Sequence, residues 1–135
     1  MSDHDGVADS AWVRGIQERL LQAAGGSYSV PEVAVSLGIS ETSLRQHIRR
    51  GTLLELRFRG RLCIPACQIE QGRMIPGLEQ VLRAMPIRHG WTQLGDLLEP
   101  LYALGGNRSL LDLIGAGEPE YAAELASRLH ETGGL

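Results

Sequence analysis

Seven of the chain's thirteen basic side chains fall between residues 27 and 75, and all thirteen are arginine. Arginine's planar fork suits phosphates and guanine edges, bidentately in both cases. In this stretch Arg45 and Gln46 stand side by side, and Gln46 has the donor–acceptor pair that matches an adenine edge. Thr42 and Ser43 lie one turn earlier; Arg49 and Arg50 follow one turn later, spaced for phosphates rather than bases. Arg57, Arg59 and Arg61 then put three cations into five residues. Residues 27–75 carry a net +3, against −2 for residues 1–26 and −4 for residues 76–135, in a chain of net charge −3. A basic middle in an acidic chain implies one surface for nucleic acid and a second surface for a different partner.

Other chemistry is excluded more easily. Cys63 and Cys67 are close in sequence, but a structural zinc site needs four ligands, and His47 and His89 stand at no ligand spacing from them. They are expected to be reduced, buried thiols, with no metal and no cofactor. Gly105-Gly106-Asn107-Arg108 lacks any Walker or dinucleotide pattern and is expected to be a turn between helices. No nucleophile–base arrangement is present, so the chain is not expected to be an enzyme. No apolar run approaches the roughly 20 residues that span a bilayer. The acidic start MSDHDGVADS is unlike a secretory signal, and a cytoplasmic protein is expected.

The elements that position these residues are mostly helical. Hydrophobic residues make up 43% of the chain and aromatics only 4%, so the core must be Leu, Val, Ile and Ala. Residues 1–9 are expected to be disordered. Ser10 caps a helix to about Ala24 along Trp12, Val13, Ile16, Leu20 and Leu21, which Gly25-Gly26 stops. Ser29 and Glu32 form a capping box with Pro31 in the first turn, opening a helix that ends at Gly38. Ser40 caps the next, Glu41 to Arg50, which Gly51 ends. Ala34 lets the two helices approach, while Leu44 and Ile48 turn back onto the first. Leu54–Phe58 and Leu62–Ile64 alternate around Arg59-Gly60-Arg61 as a half-buried hairpin. A short helix is expected near Ala66–Glu70, and a boundary at Gly72–Pro76. Helices are then expected at Leu78–Met85, Trp91–Leu104, Ser109–Ile114 and Pro119–His130. The fold class is thus mainly α: a helical and winged helix-turn-helix unit over residues 10–75, then a small helical unit over 76–135.

Two resemblances go with this order. The run SVPEVAVSLGISETSLRQHIRRGTLLELRFRGRLCIP, Ser29 to Pro65, resembles the winged helix-turn-helix of MerR-type regulators and phage excisionases. From Trp91 onward, Leu104-Gly105-Gly106, Leu111–Ile114 and Gly117-Glu118 resemble the C-terminal domain of Xre/MbcA/ParS-type antitoxins. The chain departs from that family in its winged N-terminal half and in having Leu110 where proline often stands. The second resemblance implies an antitoxin that occludes a RES-type, NAD-consuming toxin and represses its own operon by binding operator DNA. Trp91, Tyr102 and Arg108 are then the expected toxin anchors, because interfaces depend on a few aromatic and arginine residues. The alternative is a stand-alone regulator of the MerR or excisionase kind whose C-terminal helices only dimerise. Either would be expected to act as a homodimer, since one small module makes few base contacts.

Overall fold

The computed structural model describes residues 10–131; the segment 1–9, expected to be disordered, lies outside them. Helix α1, Ala11–Ala23, begins where the Ser10 hydroxyl accepts the Val13 N–H at 3.1 Å. A two-residue strand β1, Ser27–Tyr28, leads into α2, Val30–Leu37. The capping box is complete. Ser29 Oγ accepts from the Glu32 N–H at 3.2 Å, and Glu32 Oε1 accepts from the Ser29 N–H at 2.8 Å. The Ser29 N–H, and after it the Ser29 hydroxyl, hold the Glu32 carboxyl below its ordinary range. Gly38 ends α2 at φ 69°, a left-handed cap that costs glycine little and lets the chain turn at once. Ser40 accepts the Ser43 N–H at 3.0 Å and opens α3, Glu41–Arg49.

The hairpin forms from β2, Leu56–Phe58, and β3, Arg61–Pro65, with Phe58 opposite Arg61. Its two-residue turn, Arg59-Gly60, has φ of 51° and 80°, the double left-handed pattern that matches strand twist. Strand β1 adds to the other edge of β3, giving the order β1-β3-β2. The first hairpin strand is shorter than the alternation from Leu54 predicts, for a physical reason. Gln68 is fully buried; its amide accepts from the Leu54 N–H at 2.7 Å and donates to the carbonyls of Leu54 at 3.0 Å and Pro65 at 3.3 Å. A side chain thus satisfies the backbone groups that a neighbouring strand would otherwise take. The helix expected over Ala66–Glu70 is likewise only a 3₁₀ turn, Ala66–Gln68. Beyond it runs a second small hairpin, β4 Ile69–Glu70 with β5 Arg73–Met74.

Four α-helices follow: α4 Leu78–Ala84, α5 Gly90–Leu98, α6 Leu110–Gly115 and α7 Pro119–Ser127. The expected helix to Leu104 breaks six residues early. Glu99 precedes Pro100 and is extended, at φ −72° and ψ 130°, because the proline ring clashes with a helical residue before it. A 3₁₀ turn, Tyr102–Leu104, and the Gly105-Gly106 bend bring the chain back, so that the Leu101 N–H donates to the Arg108 carbonyl at 2.8 Å. Ser109 and Asp112 form a second capping box at α6.

Helix α4 packs on α7, and α1 on α5. Fully buried Leu44, Ile64, Leu78, Leu82, Leu94, Leu97, Leu110 and Leu113 join one apolar cluster through both halves. The wing lies between them. Strand β3, which carries buried Ile64, packs on α2; Leu56 and Phe58 of β2 meet Gly90 and Trp91 at the start of α5. The His130 Nε2 lies 3.1 Å from both oxygens of buried Asp96, tying the end of α7 to α5. Burial pushes the Asp96 carboxyl up, and His130 partly offsets this.

Candidate nucleic-acid interface

Helix α3 divides cleanly by exposure. Leu44 has no accessible surface and Ile48 is half-buried, both turned toward the core. Thr42, Arg45, Gln46, Arg49 and Arg50 are exposed, and Ser43 is half-buried beside its Ser40 cap. The spacing of Leu44 and Ile48 therefore leaves the opposite face free along its length. The far end of the helix is closed by buried Thr52. Its hydroxyl donates to the His47 carbonyl at 3.0 Å and lies 3.2 Å from His47 Nδ1.

The arginines differ in how far they are engaged. Arg45 Nη1 lies 4.0 Å from Glu55 Oε2, a buried oxygen that accepts no hydrogen bond from any described residue. Arg45 remains half exposed, so the pairing orients it without enclosing it. Arg57 Nη1 donates to the Gly60 carbonyl at 3.0 Å and closes the wing turn. Arg59 is turned back: its Nη2 lies 3.6 Å from Glu18 Oε1 on α1, and its guanidinium sits 5.0 Å over the Phe58 ring. Arg61 is exposed and has no ion-pair partner among the described residues. Exposed ion pairs of this kind contribute about 0–1 kcal/mol and are readily exchanged for a phosphate.

The three residues expected as protein-partner anchors have three different fates. Trp91 is half-buried and meets Phe58 edge-on, with ring centroids 6.1 Å apart at 64°. Arg108 Nη2 lies 3.5 Å from Glu118 Oε2 across the two turns that flank α6. Tyr102 is 87% exposed. Cys63 and Cys67 are free and half-buried; burial pushes both thiols up, Cys67 to about 11. Among the described residues no three His, Cys, Asp or Glu side chains gather as metal ligands, and no helix is long and apolar enough to cross a membrane. Glu55, Gln68 and Arg88 escaped the sequence reading. A lone acid or amide carries no periodicity, and Arg88 is one arginine in an acidic segment.

Two helices across a tight turn, the second with a polar outer face, and a hairpin beside them make a winged helix-turn-helix. Residues 16–68 match the family model for the winged helix-turn-helix domain of the DNA-binding protein Rv2175c. The NMR structure of Rv2175c is similar to this chain with a TM-score of 0.56 and 21% sequence identity, over 75% of this chain and 78% of that one. None of the curated proteins matches. The matched family segment ends inside the 3₁₀ turn that carries Gln68, so it takes in the wing and the residue that braces it.

Proposed function

We propose that the chain is a cytoplasmic DNA-binding regulator that sets α3 in the major groove, with β2 and β3 beside the phosphate backbone. One observation carries this reading: the outer face of α3, with Thr42, Arg45, Gln46 and Arg49, is exposed while Leu44 beneath it is fully buried, beside a cationic hairpin. The name of the matched family, a DNA-binding protein, supports it. In the proposed division of labour, Arg45 and Gln46, with Thr42 and Ser43, read bases. Arg49, Arg50, Arg57, Arg59 and Arg61 neutralise phosphates. The test is fluorescence anisotropy of the full chain on duplexes selected from a random pool. Selection should converge on one site, and reversing charge at Arg49 and Arg50 together should remove binding. Failure of the wild-type chain to bind any duplex would refute the reading.

In its finer form, the protein is an antitoxin: residues 76–135 occlude a RES-type toxin while residues 10–75 hold operator DNA as a homodimer. Two features support this. Tyr102 stands exposed on the turn before Gly105-Gly106, on a segment of net charge −4. Trp12, 74% exposed on α1, offers an apolar surface for a second copy. Co-purification of the full chain with the product of the adjacent gene is the test. Tyr102→Ala should weaken capture about tenfold, as a partly buried aromatic anchor does, and leave DNA affinity alone. No capture by the wild-type chain would return the C-terminal helices to a dimerising role.

A further inference from the structure

A cavity of about 420 Å³ opens between the end of α3 and the start of α5. Its wall brings together Arg49 and Arg50 from α3 and Arg88 from the segment before α5. None of these three is ion-paired among the described residues. Arg88 is fixed there: its Nη1 donates to the Leu82 carbonyl at 3.1 Å, and a β-carbon on Gly51 would stand 3.5 Å from that nitrogen. Glu55, the acid in the wall, lies beside Arg45, which leaves the cavity with an excess of cations.

Two further features point to an anion. Helix α5 starts at Gly90 with no side-chain cap, and Gly90 itself lines this wall. Gln93, one turn in, is only 6% exposed and lines the same wall. Three guanidiniums without an ion-pair partner among the described residues, an uncapped helix N-terminus and the Gln93 side chain outweigh the single carboxylate in the wall, Glu55. Phosphate oxygens would supply acceptors for all of them.

Building on the DNA-binding reading, we propose that this cavity seats a backbone phosphate of bound DNA, so that Arg88 and the start of α5 extend the interface beyond the winged domain. The phosphate lies beside the recognition helix and fixes its depth in the groove, independent of base sequence. Arg88, Gly90 and Gln93 are its contacts outside residues 16–68.

The test is a salt titration of the full chain on its selected duplex and on a random one. Arg88→Ala should weaken both alike, by about fivefold near 0.15 M salt, and reduce the slope of log K against log salt by about one. Arg88→Lys should recover most of the affinity. Gln93→Glu, which places a carboxylate in the same wall, should weaken binding at least as much. Arg83→Ala, an exposed arginine on α4, should change nothing. Thermal melts of each variant separate lost contacts from lost folding. If the wild-type chain binds DNA and both Arg88→Ala and Gln93→Glu, folded, leave affinity and slope unchanged, the proposal fails while the DNA-binding reading stands. If no duplex binds, the reading beneath it fails. Inorganic phosphate, titrated by NMR, separates the sources. Chemical shifts at Arg88 and Gly90 with unaltered DNA binding in Arg88→Ala would mark a free-anion site and overturn the DNA assignment.

Discussion

The two halves of the molecule carry motifs of similar clarity, but they use the motif residues in opposite directions. In α3 the polar positions face out and the apolar ones face in, so Gln46 and Arg49 are exposed, as is Arg45 beside Glu55. In the C-terminal half the conspicuous residues are largely spent on the fold. Trp91 packs on Phe58, and Leu110 and Leu113 are core; Arg108 keeps only an exposed pair with Glu118, and Tyr102 stands free. A motif thus marks a functional surface only when its side chains are not already satisfied by neighbours. The same residue types can be an interface in one half and scaffolding in the other.

That contrast sets the order of expected effects. Trp91→Ala should be the most costly, at about 3 kcal/mol of stability, because a large aromatic leaves a gap between wing and α5. Thermal unfolding reads this loss, and DNA affinity of the folded fraction should stay near wild type. If instead stability holds and a binding activity falls, Trp91 is an interface residue and the contrast breaks. Gln46→Ala comes next, at about 1–3 kcal/mol on the selected duplex and little on random sequence, with stability unchanged.

Smaller effects test the wing. Arg61→Ala should weaken all duplexes alike and flatten the salt dependence by about one unit of slope. Arg59→Ala should do less, since Arg59 already engages Glu18 and Phe58. An equal loss for the two would mean that Arg59 swings out on binding.

The smallest effect concerns Asp96. Its carboxyl is raised above the ordinary 3.8 by burial, so the folded state holds the proton more tightly than the unfolded state. Its contribution to stability is therefore fullest below pH 3.8 and is lost as pH rises through the raised folded value. Replacing it by Asn should remove that slope. Urea melts of both proteins at a series of pH values from about 3 upward check the sign; a wild-type contribution that grows with pH in this window would contradict it.

Local signals were legible in the sequence and long-range ones were not. Ser10, Ser29 with Glu32, Gly38 and Ser40 specify their helix ends through bonds within four residues, and the observed ends agree. The second capping box, Ser109 with Asp112, is equally local and has the same spacing. Strands β1, β4 and β5 have two residues each, too few to show alternation. The apolar stripe Leu94, Leu97, Leu98 and Leu101 continues past Pro100, but the restriction on Glu99 ends the helix first. The union of Arg49, Arg50, Arg88 and Gln93 at one cavity joins positions some forty residues apart, which no spacing rule anticipates.

The bend between α4 and the hairpin before it has a consequence for how the sequence can drift. Gly77 adopts φ 92°, and a β-carbon there would sit 2.4 Å from the Pro119 β-carbon at the start of α7. Position 77 is therefore closed twice, once by backbone conformation and once by a rigid ring. Even glycine at 119, the one replacement that removes this β-carbon, would relieve only the second obstacle. Related chains that keep α4 seated on α7 should hold glycine at this position even where the surrounding helices have exchanged most of their surface. A non-glycine there would mark a chain whose last helix is docked differently.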